Sequence, residues 1–346
     1  MPTLASRLLA WYDRDRRDLP WRRTGEPWAI WLAETVLQQT RVETAIPYYE
    51  RLLGRFPTPR ALAEGSEDEL LALWSGLGYY RRARRLRAAA ARVVAAGGAI
   101  PSSARELAAL PGVGPYTAAA VASIAFGEAV PVLDGNVARV LARRLALAEG
   151  AHTAAGRREL AAAAARLLDP ARPGDSNQAL MELGATVCTP RRPACECCPL
   201  LDGCRAAAAG AAESFPLPRP RPAARRERLT AAWVEDGSGR LLLARRAAGE
   251  ALLAGLWELP TVAVRGPRRS EAALAARFGG RWRVGARRAE LRHSITFRLL
   301  EIELRTARWQ PDGVGEPAAL AWHLPARARE LALTGATRKL LARAPA

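Results

Sequence analysis

Four prolines alternate through Phe215-Pro216-Leu217-Pro218-Arg219-Pro220-Arg221-Pro222, and the periodicity of the chain changes across them. Such spacing favours extended polyproline geometry and a semi-rigid linker. Before it, apolar residues recur at helical spacing over 4–12, 30–41, 45–55, 67–73, 81–96 and 137–147, punctuated by Pro57-Thr58-Pro59, Gly76-Leu77-Gly78 and Gly97-Gly98. Nothing there alternates like a strand. Beyond it, 229–234, 240–244, 289–295 and 297–305 read as strands, 270–278 as a helix and Asp236-Gly237-Ser238-Gly239 as a turn. The expected fold is multidomain: an all-α domain over 1–212, a Pro/Arg linker over 213–228 and a smaller α+β domain over 229–346. A chain of 346 residues is long enough for two cores.

The most informative turn is Leu110-Pro111-Gly112-Val113-Gly114-Pro115-Tyr116-Thr117, which leads into an Ala/Val-rich helical run over 117–126. Gly112 and Gly114 remove two side chains where the backbone enters the helix, and Pro115 suits the first helical position. Such a turn aims bare backbone N–H groups and a positive helix end outward, which suits a phosphate. Asp134-Gly135-Asn136 follows about twenty residues on, so a carboxylate stands ready to act on whatever the phosphate belongs to. Asp-Gly before a helix is equally a good turn and N-cap, and the two roles are compatible.

A second acid, Glu34, lies in Trp31-Leu32-Ala33-Glu34-Thr35-Val36-Leu37-Gln38-Gln39-Thr40. It is either a solvent-facing helix residue, which the pattern alone favours, or a carboxyl in an apolar pocket, where burial would keep a proton on it at neutral pH. Gln38 and Gln39 beside it can donate and accept hydrogen bonds to bases.

All five cysteines fall between Cys188 and Cys204. Cys188, Cys195, Cys198 and Cys204 have the spacing C-x6-C-x2-C-x5-C, with Cys197 the odd one out. One cluster in a cytosolic chain points to metal rather than disulfides. Zinc and a [4Fe–4S] cluster both accept four cysteines. The six- and five-residue arms resemble the cluster loop of the endonuclease III family.

The net charge of +18, from 52 basic and 34 acidic residues, points to a polyanion such as DNA or RNA. The bland alternative is a GC-rich genome that favours Arg and Ala, a bias visible in Lys339 being the only lysine. No apolar run approaches the roughly 18 residues of a membrane span, and residues 1–17 do not read as a signal peptide. The expectation is a cytoplasmic, nucleoid-associated monomer with no membrane partner.

Taken in order, Leu19-Pro20-Trp21, the 31–40 segment, Gly76-Leu77-Gly78-Tyr79-Tyr80-Arg81-Arg82-Ala83-Arg84, 110–117, 133–137, Asn177-Gln178-Ala179-Leu180-Met181-Glu182-Leu183-Gly184-Ala185 and the four cysteines cover residues 1–205. This ordered set resembles the MutY family of adenine DNA glycosylases in the helix-hairpin-helix superfamily. Leu253-Ala254-Gly255-Leu256-Trp257-Glu258-Leu259-Pro260 extends the likeness into the C-terminal part. The resemblance implies a helix-hairpin-helix over 107–126, a [4Fe–4S] loop over 188–204 and a Nudix-like 8-oxoguanine-recognition domain at the C-terminus. It implies removal of adenine mispaired with 8-oxoguanine or guanine in double-stranded DNA. By the same resemblance Glu34 is general acid and base, and Asp134 stabilises the sugar cation. Tyr116 lies beside that centre, Asn136 orders the acids and Gln178 contacts the flipped adenine. Gln38 and Tyr79 fill or wedge the stack near 8-oxoguanine.

Bifunctional relatives resembling endonuclease III use a hairpin lysine as a Schiff-base nucleophile; Tyr116 stands at that place here. Lys339, remote from every motif in sequence, leaves that chemistry without a side chain. A monofunctional glycosylase is therefore expected, ahead of an endonuclease III-like lyase for oxidised pyrimidines or a non-catalytic Fe–S DNA-binding protein. In the C-terminal part, the family's Phe-Ser-His loop matches Ile295-Thr296-Phe297. Thr296 keeps a hydroxyl, while Phe297 replaces the histidine and His293 lies nearby. The helix over 270–278 has Glu271 as its only acid, too few for the Mg²⁺-holding array of a Nudix hydrolase, so binding is expected rather than phosphohydrolysis. The Arg-rich segments 81–87 and 219–228 are candidate phosphate contacts, or else a solvated helix face and a charged linker.

Overall fold

A computed structural model describes residues 2–219, 223–247, 249–250, 252–313 and 319–343. Pro220, Arg221 and Pro222 of the expected linker lie outside the described residues. The chain divides into two compact units, Met1–Gly65 with Arg84–Pro220, and Ser66–Ala83 with Arg221–Ala346.

The regular elements of the first unit's described residues are all helices. Its helices are α1 (Leu4–Asp15), α2 (Pro27–Leu37), α3 (Val42–Arg55) and α4 (Pro59–Glu64). They continue, after α5 (Glu67–Trp74) of the second unit, with most of α6 (Arg81–Ala95), then α7 (Ala104–Leu107), α8 (Pro115–Phe126) and α9 (Gly135–Leu145). The last are α10 (Ala154–Arg166), α11 (Pro173–Thr186) and α12 (Arg205–Ala208).

Nine of the eleven residues of α2 are buried, from Trp28 to Val36. A helix apolar on every side belongs in the middle of a core, and α2 packs there against α3 and α8. It ends at Leu37, four residues before the helical pattern over 30–41 predicts. Gln38 is its C-cap and Gln39 is left-handed at φ 57°. At the break the Gln38 side chain donates from Nε2 to Thr117 Oγ1 of α8.

The α8 helix follows the glycine turn as expected, with Gly114 as N-cap and Pro115 at its first position. Gly112 has φ +78°, and a Cβ there would stand 2.5 Å from Cβ of Arg85, so the turn requires glycine twice over. Asp134 caps α9, its side chain accepting from the Val137 N–H.

Asn177 on α11 fixes the segment between α8 and α9. Its Oδ1 accepts from Val132 N at 2.9 Å, and its Nδ2 donates to Ser123 Oγ at 2.9 Å and to Val130 O at 2.8 Å. Nearby, α9 and α11 come so close that a Cβ at Gly184 would meet Asn136 Cβ at 2.6 Å.

The second unit contains α5 and two sheets. The strands are β1 (Arg225–Trp233), β2 (Leu241–Arg245), β3 (Trp257–Glu258), β4 (Thr261–Val262), β5 (Arg281–Ile295), β6 (Arg298–Gln310) and β7 (Leu320–His323). One sheet has the order β4-β1-β6-β5 and the other β3-β2-β7. β1 runs parallel to β6, and β5 pairs antiparallel with β6 across the two-residue loop Thr296-Phe297. Ala231, Trp233, Leu241 and Leu243 join one core with residues of α14 (Pro325–Glu330) and α15 (Gly335–Arg343). Their neighbours Ala232, Val234, Leu242 and Ala244 join another with Leu274 and Phe278 of α13 (Pro267–Phe278). Burial on both faces explains why these strands read as apolar runs rather than alternating ones.

Three strands are longer than the sequence predicts, β6 by running on to Gln310. β1 begins at Arg225, so exposed arginines expected in the linker lie in a strand paired with β6. β5 begins at Arg281: Trp282 and Val284 point inward between exposed arginines, and a register shift between Val284 and Arg287 breaks the alternation.

Replacing Asn177 with Ala strands the buried Val132 N–H and leaves the half-buried Val130 carbonyl without this donor. Asn177→Ala is expected to destabilise the protein by about 3 kcal/mol, read from the urea unfolding midpoint; a midpoint within error of wild type would show that these bonds do not hold the segment.

Candidate active site

A cavity of about 150 Å³ in the first unit gathers side chains from five places in the sequence. Glu34 comes from α2, Tyr116 from the first turn of α8, Asp134 and Asn136 from the start of α9, and Gln178 from α11. The fifth group is Arg17, Trp21 and Arg22, between α1 and α2.

Glu34 is only 3% exposed, against the solvent-facing reading that its pattern favours. The error has a physical cause: α2 has no polar face, so its one acid cannot mark a solvated side. Burial is the main force on the carboxyl and the charge of Asp134 adds to it. The Tyr116 hydroxyl, which donates a short hydrogen bond to Glu34 Oε2, and Arg22 act the other way. The balance pushes Glu34 up to about 7. Burial, helped by the two carboxylates, holds the Tyr116 phenol well above its ordinary value, so it stays a donor.

Asp134 is pushed up by burial and restrained by the bonds it accepts. These come from Val137 N at 2.7 Å and Asn136 Nδ2 at 3.0 Å. Asn136 is held in turn by Arg139, whose Nη2 donates to Asn136 Oδ1 at 2.8 Å and to Gly184 O at 2.7 Å. The Arg139 Nε donates to Cys188 O at 2.9 Å. One hydrogen-bonded chain thus runs from Asp134 to the first cysteine.

Sequence reasoning gave no role to the opposite wall. Glu182, 1% exposed, accepts from Arg17 N, Nε and Nη2 and from Arg22 Nη2, all between 2.8 and 3.1 Å. Burial alone would raise its pKa, but the two arginines overcome that and bring it to about 2. The signal was available: an acid between Met181 and Leu183, on a helix whose other buried residues are mostly apolar, needs a cationic partner.

Gln38 donates to Thr117 Oγ1 at 3.1 Å. Tyr79 and Thr296 belong to the second unit. Tyr79 is left-handed at φ 47° and 49% exposed, with the Arg82 guanidinium 5.6 Å from its ring. Thr296 sits at the β5–β6 tip at φ 55°, an unfavourable conformation for a β-branched residue. Beside it Phe297 is 48% exposed. Lys339, remote from every motif in sequence, lies in space beside the strand that leads to this tip, with Nζ 3.4 Å from His293 Nδ1.

The four expected ligands Cys188, Cys195, Cys198 and Cys204 line one small cavity with Arg143 and Arg144. Arg143 is buried and clamps the loop: its guanidinium donates to the carbonyls of Cys188, Thr189, Pro190 and Phe215, and to Cys188 Sγ at 3.3 Å. Burial and the neighbouring thiols push Cys198 up to about 11. Among the described residues, no three His, Cys, Asp or Glu side chains are arranged to hold a single metal ion. No helix among them is long and apolar enough to cross a membrane.

Residues 32–166 match the HhH-GPD superfamily of base excision DNA repair proteins, and 230–343 match the NUDIX domain. The adenine DNA glycosylase of Mycobacterium tuberculosis is 43% identical over 214 residues, which are 61% of this chain and 70% of that protein. This chain belongs to the adenine DNA glycosylase family. Within that family, the human adenine DNA glycosylase is 44% identical over 309 residues, 74% of this chain and 56% of the human protein. The chain therefore spans little more than half the length of that curated relative. A thermostable thymine-DNA glycosylase of solved structure superposes with a TM-score of 0.53 at 30% identity, covering 58% of this chain and 93% of that one. Endonuclease III, in a non-covalent DNA complex, shares the fold with a TM-score of 0.51 at 23% identity, over 61% of this chain and 99% of that one. The architecture is thus a helical HhH-GPD domain followed by a smaller mixed Nudix-like domain.

The raised pKa of Glu34 has a stability consequence. Between about pH 4.5 and 7 the folded protein retains a proton that the unfolded chain releases, so this group's contribution falls as pH rises. Above pH 7 the penalty reaches roughly 3 kcal/mol. Glu34→Gln is neutral and still accepts from Tyr116. It is expected to exceed wild type in stability at pH 8 and to match it near pH 4.5; an advantage independent of pH would contradict the buried-carboxyl account.

Proposed function

We propose that this chain is a monofunctional adenine DNA glycosylase. It hydrolyses the N-glycosidic bond of adenine opposite 8-oxoguanine or guanine and leaves the strand intact. The observation that carries the reading is the pairing in one cavity of Glu34, poised near neutral pH, with an Asp134 carboxylate held by hydrogen bonds.

An adenine in a duplex is out of reach and enters such a cavity only when flipped out of the stack. Adenine leaves poorly as an anion, so its ring nitrogen must be protonated as the bond breaks. Neutral Glu34 supplies that proton, with Tyr116 fixing the carboxyl by donating to its other side. The departing base leaves an oxocarbenium-like sugar, and the Asp134 carboxylate offsets its charge. This is the division of labour that two carboxyls carry out in glycoside hydrolysis. Asn136 keeps the lone pairs of Asp134 directed, and Gln178 offers amide donors and acceptors to the base. Glu34, left ionised, then serves as base toward the incoming water. Tyr116 cannot form a Schiff base, and the only lysine, Lys339, belongs to the other unit.

Gly112 and Gly114 present backbone N–H groups to a DNA phosphate. Gln38, Gln39 and Tyr79 act on the stack around the opposite base. The Nudix-like domain reads 8-oxoguanine through Thr296 and the exposed Phe297 at the hairpin tip. Glu271 already accepts from Val284 N at 2.8 Å, which suits a structural role better than metal-dependent hydrolysis.

The cysteine loop fits a [4Fe–4S] cluster. The four thiols line one shared cavity and are the donor set that such a cluster takes. Cys188, Cys195, Cys198 and Cys204 would hold it, and it would supply a cross-link for the loop and a redox centre. Metal analysis should return about four irons and four sulfides per chain, with zinc alone refuting the cluster. Removing the cluster should lower the melting temperature.

Duplexes carrying A opposite 8-oxoguanine, thymine glycol opposite A, or no lesion separate this activity from its rivals. Breaks only after alkali, and only in the adenine strand of the first, are expected. Breaks without alkali, or at thymine glycol, would overturn the reading. Glu34→Gln should slow single-turnover excision about 10³-fold. With subsaturating enzyme, the wild-type rate should fall as pH rises through about 7, because Glu34 loses its proton there.

A further inference from the structure

The turn that carries Tyr79 is unusual in its backbone. Gly76 has φ +111°, Gly78 +69° and Tyr79 +47°. A side chain in the left-handed region persists where its surroundings enforce it. Within the turn, Trp74 Nε1 donates to Gly78 O at 3.0 Å. The rest of the support comes from the far end of the chain, in the same unit. Tyr80 is buried, and its hydroxyl lies 3.1 Å from both Leu333 O and Ser75 Oγ, with its single proton available to the carbonyl and its lone pairs to the serine hydroxyl. Arg338, on α15, donates through Nη1 to Ser75 O at 3.1 Å and through Nη2 to Ser75 Oγ in a shorter contact. The anchor is itself fixed: Thr334 N donates to Trp257 O, and Trp257 N to Ala332 O, both at 2.9 Å.

We propose that Arg338 is a positioning residue for DNA binding: by clamping Ser75 it holds the turn in the conformation that presents the Tyr79 ring to the duplex. The inference rests on the reading of Tyr79 as a DNA-contacting side chain. Arg338 acts through the turn and touches neither the cavity of Glu34 nor the base. A bidentate guanidinium suits the task because it grips a carbonyl and a hydroxyl of one residue at once.

The test uses the full chain and a duplex with a tetrahydrofuran abasic analogue opposite 8-oxoguanine, which binds without being hydrolysed. Arg338→Ala and Tyr79→Ala are each expected to weaken binding about tenfold. The double variant should be no weaker than the worse single one, because both changes remove the same contact. Arg338→Lys should recover part of the loss, and Tyr80→Phe, which keeps the ring and deletes only the hydroxyl, should weaken binding in the same direction. With saturating enzyme on the A:8-oxoguanine duplex, the single-turnover rate of Arg338→Ala should stay within about threefold of wild type. Losses that add in the double variant, or wild-type binding by Arg338→Ala and Tyr80→Phe, would overturn the proposal while leaving adenine excision standing. Wild-type protein that excises no adenine would instead remove the functional reading itself.

Discussion

Glu34 enters the core on α2 between Ala33 and Thr35, with Trp31 and Leu32 also buried beside it. An unpaired carboxylate in such surroundings would be prohibitive, and the first unit is arranged so that the group is never both charged and alone. The start of α8 delivers Tyr116 as a donor, the positive charge of Arg22 favours the ionised carboxyl, and Asp134 keeps its own oxygens occupied at the cap of α9. Each contribution requires a fixed backbone. Asn177 bonds the segment before Asp134 to α8, the missing Cβ of Gly184 lets α9 approach α11, and Gly112 turns the chain into α8. The apolar helix that raises the pKa of the acid is thus also what the surrounding elements pack against.

The cavity has a second wall with the opposite electrostatic logic. Glu182 is as deeply buried as Glu34, yet two arginines hold it ionised. Two buried glutamates line one cavity, one with its pKa pushed up to about 7 and the other brought down to about 2 by its arginines. The Glu182 pair locks the connection between α1 and α2 onto α11 without competing for the proton that Glu34 holds.

Local chemistry made much of this legible in the sequence. The Gly112–Pro115 turn, the Asp134 cap and the change of periodicity beyond Pro222 each follow from backbone preferences that act over a few residues. The cysteine spacing was readable for the same reason. What escaped depended on distant partners. The burial of Glu34 was hidden because α2 has no polar side to compare it with. Gln38 and Gln39 looked helical because nothing nearby announces that α2 ends at Leu37. The first half of β5 was masked by arginines on its open face and by the register shift after Val284. The arginine partners of Glu182 lie about 160 residues away in sequence, beyond any periodicity argument.

The second unit is discontinuous in sequence: residues 66–83 pack with a segment that begins only at 221. Ser75 and Tyr80 emerge from the ribosome long before Leu333 and Arg338 exist. At typical synthesis rates of about 5–20 residues per second, that gap corresponds to roughly 13–50 s during which the Gly76–Tyr79 turn lacks its clamp. The cavity around Glu34, made entirely of residues up to 185, has no such wait. During biosynthesis the Glu34 cavity of the first unit can be assembled while the tyrosine-bearing turn is still unsupported, so synthesis of residues 333–338 sets when that turn is complete.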